Sequence, residues 1–409
     1  MFGAACLSGH SLVLNAISLP VMAYIIRSLG PTAYGQWATA TSLVGAAAVL
    51  GNLGLRGTYV RAIARDPGSA PAATADQFGA RLIMAAVAMA VAIGAAMAMA
   101  YPPTIVICTV IAGAGLLLSA PVTTFSDLFQ CQEQLPTVAL TNFCAGLALT
   151  AMSVFVAWAG FGAIGMSAGY LVGPAVTAAM FMIILRQRRF PVRPSRVGVR
   201  HLGRMLRESR FMALQQIVGA ANASAVALLL PKLCGPVLFA YFAAGSLLAT
   251  RLDVIVDALA AVFYPLLSKA YAHHRSRVFP VIARGLALAL LLCAAIALAT
   301  TLAAPWIAHI LFPKNAAICC RVIRITMWVL PFEGTSCIAF CALNASGLEK
   351  LQAHAAFCIT IIGLCVTVFL VARWGLIGAC WSLVVRSAVQ AAIRFFVLAL
   401  WAPRRGCAP

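Results

Sequence analysis

Apolar residues fall along this chain in long blocks, interrupted at intervals by charge, proline or glycine. Blocks of this length are membrane-spanning helices rather than strands or surface helices. The first six cover about residues 8–28, 35–55, 82–101, 104–126, 137–157 and 163–185. The second six cover about residues 211–230, 237–259, 284–303, 322–343, 353–372 and 376–400. Only Pro102 and Pro103 separate the third block from the fourth, which predicts a tight helical hairpin. The expected fold is all-α: a polytopic membrane protein of about twelve transmembrane helices in two six-helix lobes. The lobes are residues 1–185 and 211–409, joined by a basic linker, 186–210, that holds two prolines and nine arginines.

The halves repeat one another with a small drift in offset. Leu29-Gly30-Pro31 matches Cys234-Gly235-Pro236, and Tyr59 matches Tyr264. Further on, Pro121 meets Pro331, Cys131 meets Cys341, and Gly162-Ala163-Ile164-Gly165 meets Gly375-Leu376-Ile377-Gly378. An even number of spans per half makes this a parallel repeat, with a pseudo-two-fold axis along the membrane normal.

Composition sharpens the picture. The 409 residues are 63% hydrophobic and only 9% charged, which excludes a water-soluble globule. The net charge of +20 would suggest nucleic acid in a soluble protein, but here it follows from orientation. With both termini inside, 20 Lys/Arg lie in cytoplasmic segments, among them Arg56, Arg61, Arg65 and Arg81, and six lie on the other side. The linker arginines fix topology and attract anionic headgroups. Trp158, Trp306, Trp374 and Trp401 fall at span ends as interfacial anchors. The 14 cysteines form no zinc or disulfide framework, and no metal or cofactor is expected.

Ionisable residues within a bilayer are functional candidates because burying charge there is costly. The first half is expected to hold almost none, whereas the second holds Arg251, Asp253, Asp257, Glu333, Arg386 and Arg394. Glu333 and Arg386 lie at similar depth and are expected to pair. Arg386, Gln390 and Arg394 share one stripe of a helix, which points into the bundle or a wet cavity. Gln215, Gln216 and Asn222 in the seventh span could bond sugar hydroxyls or join helices.

Arg27-Ser-Leu-Gly-Pro-Thr-Ala-Tyr-Gly-Gln-Trp37, followed by Asn52-Leu-Gly-Leu-Arg56, resembles the opening of Wzx-type polysaccharide repeat-unit flippases. These belong to the multidrug/oligosaccharidyl-lipid/polysaccharide exporter superfamily. Cys234-Gly-Pro-Val-Leu-Phe-Ala-Tyr241, Phe263-Tyr-Pro-Leu-Leu267 and Trp374-Gly-Leu-Ile-Gly378 carry the likeness through the second half. The resemblance implies transport of an undecaprenyl-pyrophosphate-linked oligosaccharide across a bacterial inner membrane. Its partners would be that lipid, membrane lipids and other polysaccharide-assembly proteins. Related lipid II flippases use arginines of the first, second and eighth spans, and Arg27, Arg56 and Arg251 occupy those spans here. Relatives often carry an Asp in the seventh span where this chain has Val226. Asp253, Asp257 and Glu333 are the remaining candidates for ion coupling. Two other functions fit the same span pattern: a drug or cation antiporter, and a membrane-bound polysaccharide polymerase or ligase. No nucleophile–base constellation or phosphate-binding loop supports an enzyme.

Overall fold

The computed structural model describes residues 2–188, 190, 199–273, 275–346 and 348–401, with no strand among them. The helices are α1 (Phe2–Ala48), α2 (Leu55–Arg65), α3 (Ala70–Ala98), α4 (Pro103–Cys131), α5 (Leu135–Trp158), α6 (Gly162–Gly169) and α7 (Val172–Gln187). They continue as α8 (Val199–Cys234), α9 (Pro236–His273), α10 (Arg275–Leu311), α11 (Ala316–Thr326), α12 (Val329–Ala345) and α13 (Glu349–Trp401). Helix α1 has 47 residues and breaks at Gly30, and α13 has 53 and breaks at Gly375, so each supplies two passes. The pairs α6–α7 and α11–α12 are single passes, interrupted at Tyr170–Leu171 and Met327–Trp328. The described helices therefore make the twelve passes that the apolar blocks anticipate, with α2 as a short extra helix.

Along several helices small residues face the interior while large apolar ones face outward. Along α3, Ala80, Met84, Ala88, Ala92 and Ala96 recur every fourth position and are all buried. Ala88 and Ala92 pack α3 against α4 through Ala112, Leu116 and Ala120. In α10, Ala289, Cys293, Ala297, Ala304 and Ala308 are likewise sealed, whereas Leu291 and Leu302 are 70% and 71% exposed. Lipid tails remove the hydrophobic drive to bury leucine, so close backbone approach through small residues holds such helices together. Trp158, Trp306 and Trp374 are well exposed at the helix ends where interfacial anchors belong. Nine described stretches have the length and composition to cross a membrane, two of them spanning the Gly30 and Gly375 breaks.

The matched glycines of the two halves share a positive φ. Gly30 and Gly235 both have left-handed φ, 72° and 86°, and each is followed by a proline that opens the next helical stretch. Gly162 and Gly375 form a second such pair, at 63° and 54°.

By packing, the chain forms two compact units, Met1–Leu228 and Leu229–Pro409. The division falls late in α8, beyond the linker. Leu202, Met205 and Ala213 of α8 pack on Leu53, Leu55, Ala80 and Met84, which joins most of this helix to the first unit. Linker residues 191–198 lie outside the described residues.

Candidate functional site

In the first unit, polar residues collect where α2, α3 and α4 meet. Thr74, Gln77 and Arg81 lie on one face of α3 at spacings of three and four, and all are buried. Arg81 Nη2 donates to Asp127 Oδ2 at 2.7 Å and to Asn52 Oδ1 at 3.2 Å. The other carboxylate oxygen, Asp127 Oδ1, takes Arg56 Nε at 3.2 Å. Arg56 Nη2 also donates to Gln130 Oε1 at 2.7 Å, and Gln130 Nε2 donates to Ser126 Oγ. One carboxylate thus serves two guanidiniums and leaves the cluster with a net positive charge. The burial is uneven: the Arg81 side chain is 2% exposed, that of Arg56 55%. Tyr59 of α2 exchanges a hydrogen bond with Thr74 Oγ1 at 2.8 Å, and burial pushes its phenol up to about 12.

Helices α3 and α4 run past the expected spans, 82–101 and 104–126, and bring Arg81 and Asp127 inside regular helix. Sequence reasoning missed Asp127 altogether. Its signal is scarcity: the chain has only nine acidic residues, so one at the edge of an apolar block stands out.

In the second unit, α12 packs against α9, α10 and α13, and its polar side chains meet those of α13. Ser387 Oγ donates to Glu333 Oε1 at 2.7 Å, and Gln390 Nε2 donates to Glu333 Oε2 at 3.2 Å. Gln390 also donates to Ser336 Oγ, which receives Arg394 Nη1 at 2.7 Å. The Arg394 guanidinium stands 5.1 Å from the Phe340 ring centroid, a cation–π contact. The stripe containing Gln390 and Arg394 does point into the bundle, where its residues bond α12. Asp253 on α9 is half-buried and within electrostatic reach of Glu333 and Asp257, and Asp257 is exposed. Arg251 and Arg386 are half-buried on α9 and α13.

The other candidates have plainer places. Arg27 is exposed, three residues before the Gly30 break. Gln216 Oε1 accepts the Gly54 amide at 3.1 Å, tying α8 to the left-handed turn at Leu53–Gly54. Asn222 is half-buried on α8, and the Gln215 side chain lies outside the described residues.

The fold defines the class: a multi-pass membrane protein built like the transporters of the MOP superfamily. It matches an inward-facing MATE-family multidrug-resistance transporter of that superfamily with a TM-score of 0.71 at 15% identity, covering 97% of this chain and 96% of the other. It matches the lipid II flippase MurJ, in an inward closed conformation, with a TM-score of 0.73 at 12% identity, covering 97% and 87%. A Pyrococcus furiosus MOP transporter, described as having reversed binding-pocket polarity, matches with a TM-score of 0.60 at 15% identity, covering 98% and 95%. No curated protein matches the sequence. The chain belongs to the polysaccharide biosynthesis protein family, whose model matches residues 3–271.

Proposed function

We propose that this protein is a flippase that moves undecaprenyl-pyrophosphate-linked oligosaccharide repeat units across a bacterial inner membrane by alternating access. Its termini and the 186–210 linker are then cytoplasmic, and its six-span lobes, 1–185 and 211–409, rock against each other. The observation that carries this reading is the surplus of guanidinium over carboxylate in the first unit, with Arg56 half-exposed. A diphosphate headgroup suits arginine's planar fork of donors. Membership of the polysaccharide biosynthesis family and a fold shared with a lipid II flippase support the same substrate class. Arg27, Arg251 and Arg386 are the further proposed headgroup ligands, and Gln215, Gln216 and Asn222 the proposed sugar contacts. Asp253, Asp257 and Glu333, the last with Arg386 as its proposed partner, are the coupling candidates.

The test is leaflet transfer of a labelled lipid-linked sugar by the reconstituted protein, comparing wild type with Arg56→Ala, Arg251→Ala and Arg386→Ala. We expect at least a tenfold loss for Arg56→Ala. Unchanged transfer in all three variants would remove the arginines from the mechanism. A second reading, drug or cation antiport, is favoured by the acidic grouping of Asp253, Asp257 and Glu333 in the second unit. Cation-driven uptake of an organic cation, with no transfer of the lipid-linked sugar, would select it.

A further inference from the structure

The buried pair in the first unit is made in an unexpected way. Arg81 can present two donors side by side to a carboxylate, yet only Nη2 is engaged, shared between Asp127 and Asn52. Its Nε and Nη1 are sealed from solvent with no hydrogen-bond partner among the described residues. Buried donors left unpaired are costly, and a carboxylate that can accept a forked guanidinium lies alongside. The oxygen a fork would use, Asp127 Oδ1, is instead contacted by Arg56 Nε at 3.2 Å. That contact is longer than the 2.7 Å Arg81 bond and has the more exposed partner, so it is the weaker of the two.

We propose that Arg56, Asp127 and Arg81 form a handover device for an anionic diphosphate. The anion draws Arg56 off Asp127 Oδ1, and one of the idle donors of Arg81 takes the vacated oxygen. Asp127 then passes from two single contacts to one forked pair. Asp127 stays neutralised throughout, and the loss of the Arg56 contact is offset within the cluster. Arg56 is thus held in place while empty and released cheaply on demand. The proposal rests on Arg56 being a headgroup ligand, as argued above; what it adds is that Asp127 competes with the substrate and that Arg81 must supply a fork, not only a charge.

Binding of a polyprenyl diphosphate to the full-length protein in lipid nanodiscs tests it, with the matching monophosphate and neutral polyprenol as references. Arg81→Lys keeps the charge but cannot fork. It is expected to weaken diphosphate binding about tenfold with Arg56 untouched. Asp127→Asn removes the competitor and is expected to bind the diphosphate as tightly as wild type or tighter, where a purely structural Asp127 predicts weaker binding. Size-exclusion profile and ligand-free melting temperature identify which variants are folded, and either folded variant decides. Wild-type affinity in Arg81→Lys, or weakened affinity in folded Asp127→Asn, overturns the handover while leaving Arg56 as a ligand. If Arg56→Ala also binds like wild type, or no diphosphate binds at all, the handover and the headgroup reading fall together.

Discussion

Arg81 and Asp127 meet at 2.7 Å with both side chains nearly sealed, joining α3 to α4 by an ion pair at one end of an alanine-lined seam. A buried pair adds little net stability over an apolar substitute, but breaking it strands a charge. Asp127→Leu strands the buried Arg81 guanidinium and is expected to cost about 3–5 kcal/mol, whereas Arg81→Leu leaves Asp127 paired with Arg56 and should cost less. The double variant should recover most of the Asp127→Leu loss. Unfolding midpoints of the three variants in mild detergent check it, and a double variant as unstable as Asp127→Leu would contradict it.

The seam itself predicts an asymmetry between faces. Ala92 is 1% exposed within the α3–α4 contact, so Ala92→Leu should overpack it and cost about 1–3 kcal/mol. Leu302 on α10 faces outward, and Leu302→Ala should stay within about 0.5 kcal/mol of wild type. Equilibrium unfolding of both variants in the same lipid–detergent mixture is the measurement. Equal losses would mean that the outward face is covered.

How much of this was legible beforehand follows from how spans are read. The blocks, the Pro102–Pro103 hairpin and the two Gly-Pro junctions lie in local pattern, and the structure bears them out. The inward stripe on α13 was legible because i, i+4 spacing needs no partner to be known. Arg81 and Asp127 were not, because charge itself was used to set where a span ends. A buried charge at the edge of an apolar block then looks like a connection. The attachment of α8 to the first unit was also hidden, since it depends on Leu202 and Met205 meeting Leu53 and Leu55 across some 150 residues of sequence. Local periodicity carries no such information.

Glu333 accepts hydrogen bonds from two donors on α13, Ser387 and Gln390. Ser387→Ala removes a hydrogen bond to a carboxylate, a loss of about 1.5 kcal/mol. Glu333→Gln loses one acceptor oxygen and sets an amide N–H₂ against Ser387 or Gln390. The two changes share a contact, so a double-mutant cycle should give a coupling of about 1 kcal/mol. A coupling near zero would mean that the Ser387 hydroxyl is satisfied elsewhere.

The paired junctions invite a matched test. At Gly30 and Gly235 a Cβ would meet nothing within 4 Å, so replacement there is opposed by backbone conformation alone. Positive φ of this kind costs an L-residue about 1–3 kcal/mol, so Gly30→Ala and Gly235→Ala should lower stability by similar amounts. Gly378 is a contrast, because a Cβ there would collide with the Leu370 carbonyl across the break in α13. Backbone cannot yield as a flexible side chain can, so Gly378→Ala should be the most damaging of the three. Melting temperatures of the purified variants rank them. If Gly378→Ala melts with the other two, the chain at the Gly375 break opens more easily than the close approach of Leu370 implies. If Gly30→Ala and Gly235→Ala differ widely, the two junctions are not equivalent, and the structural repeat does not extend to how each half starts its second pass.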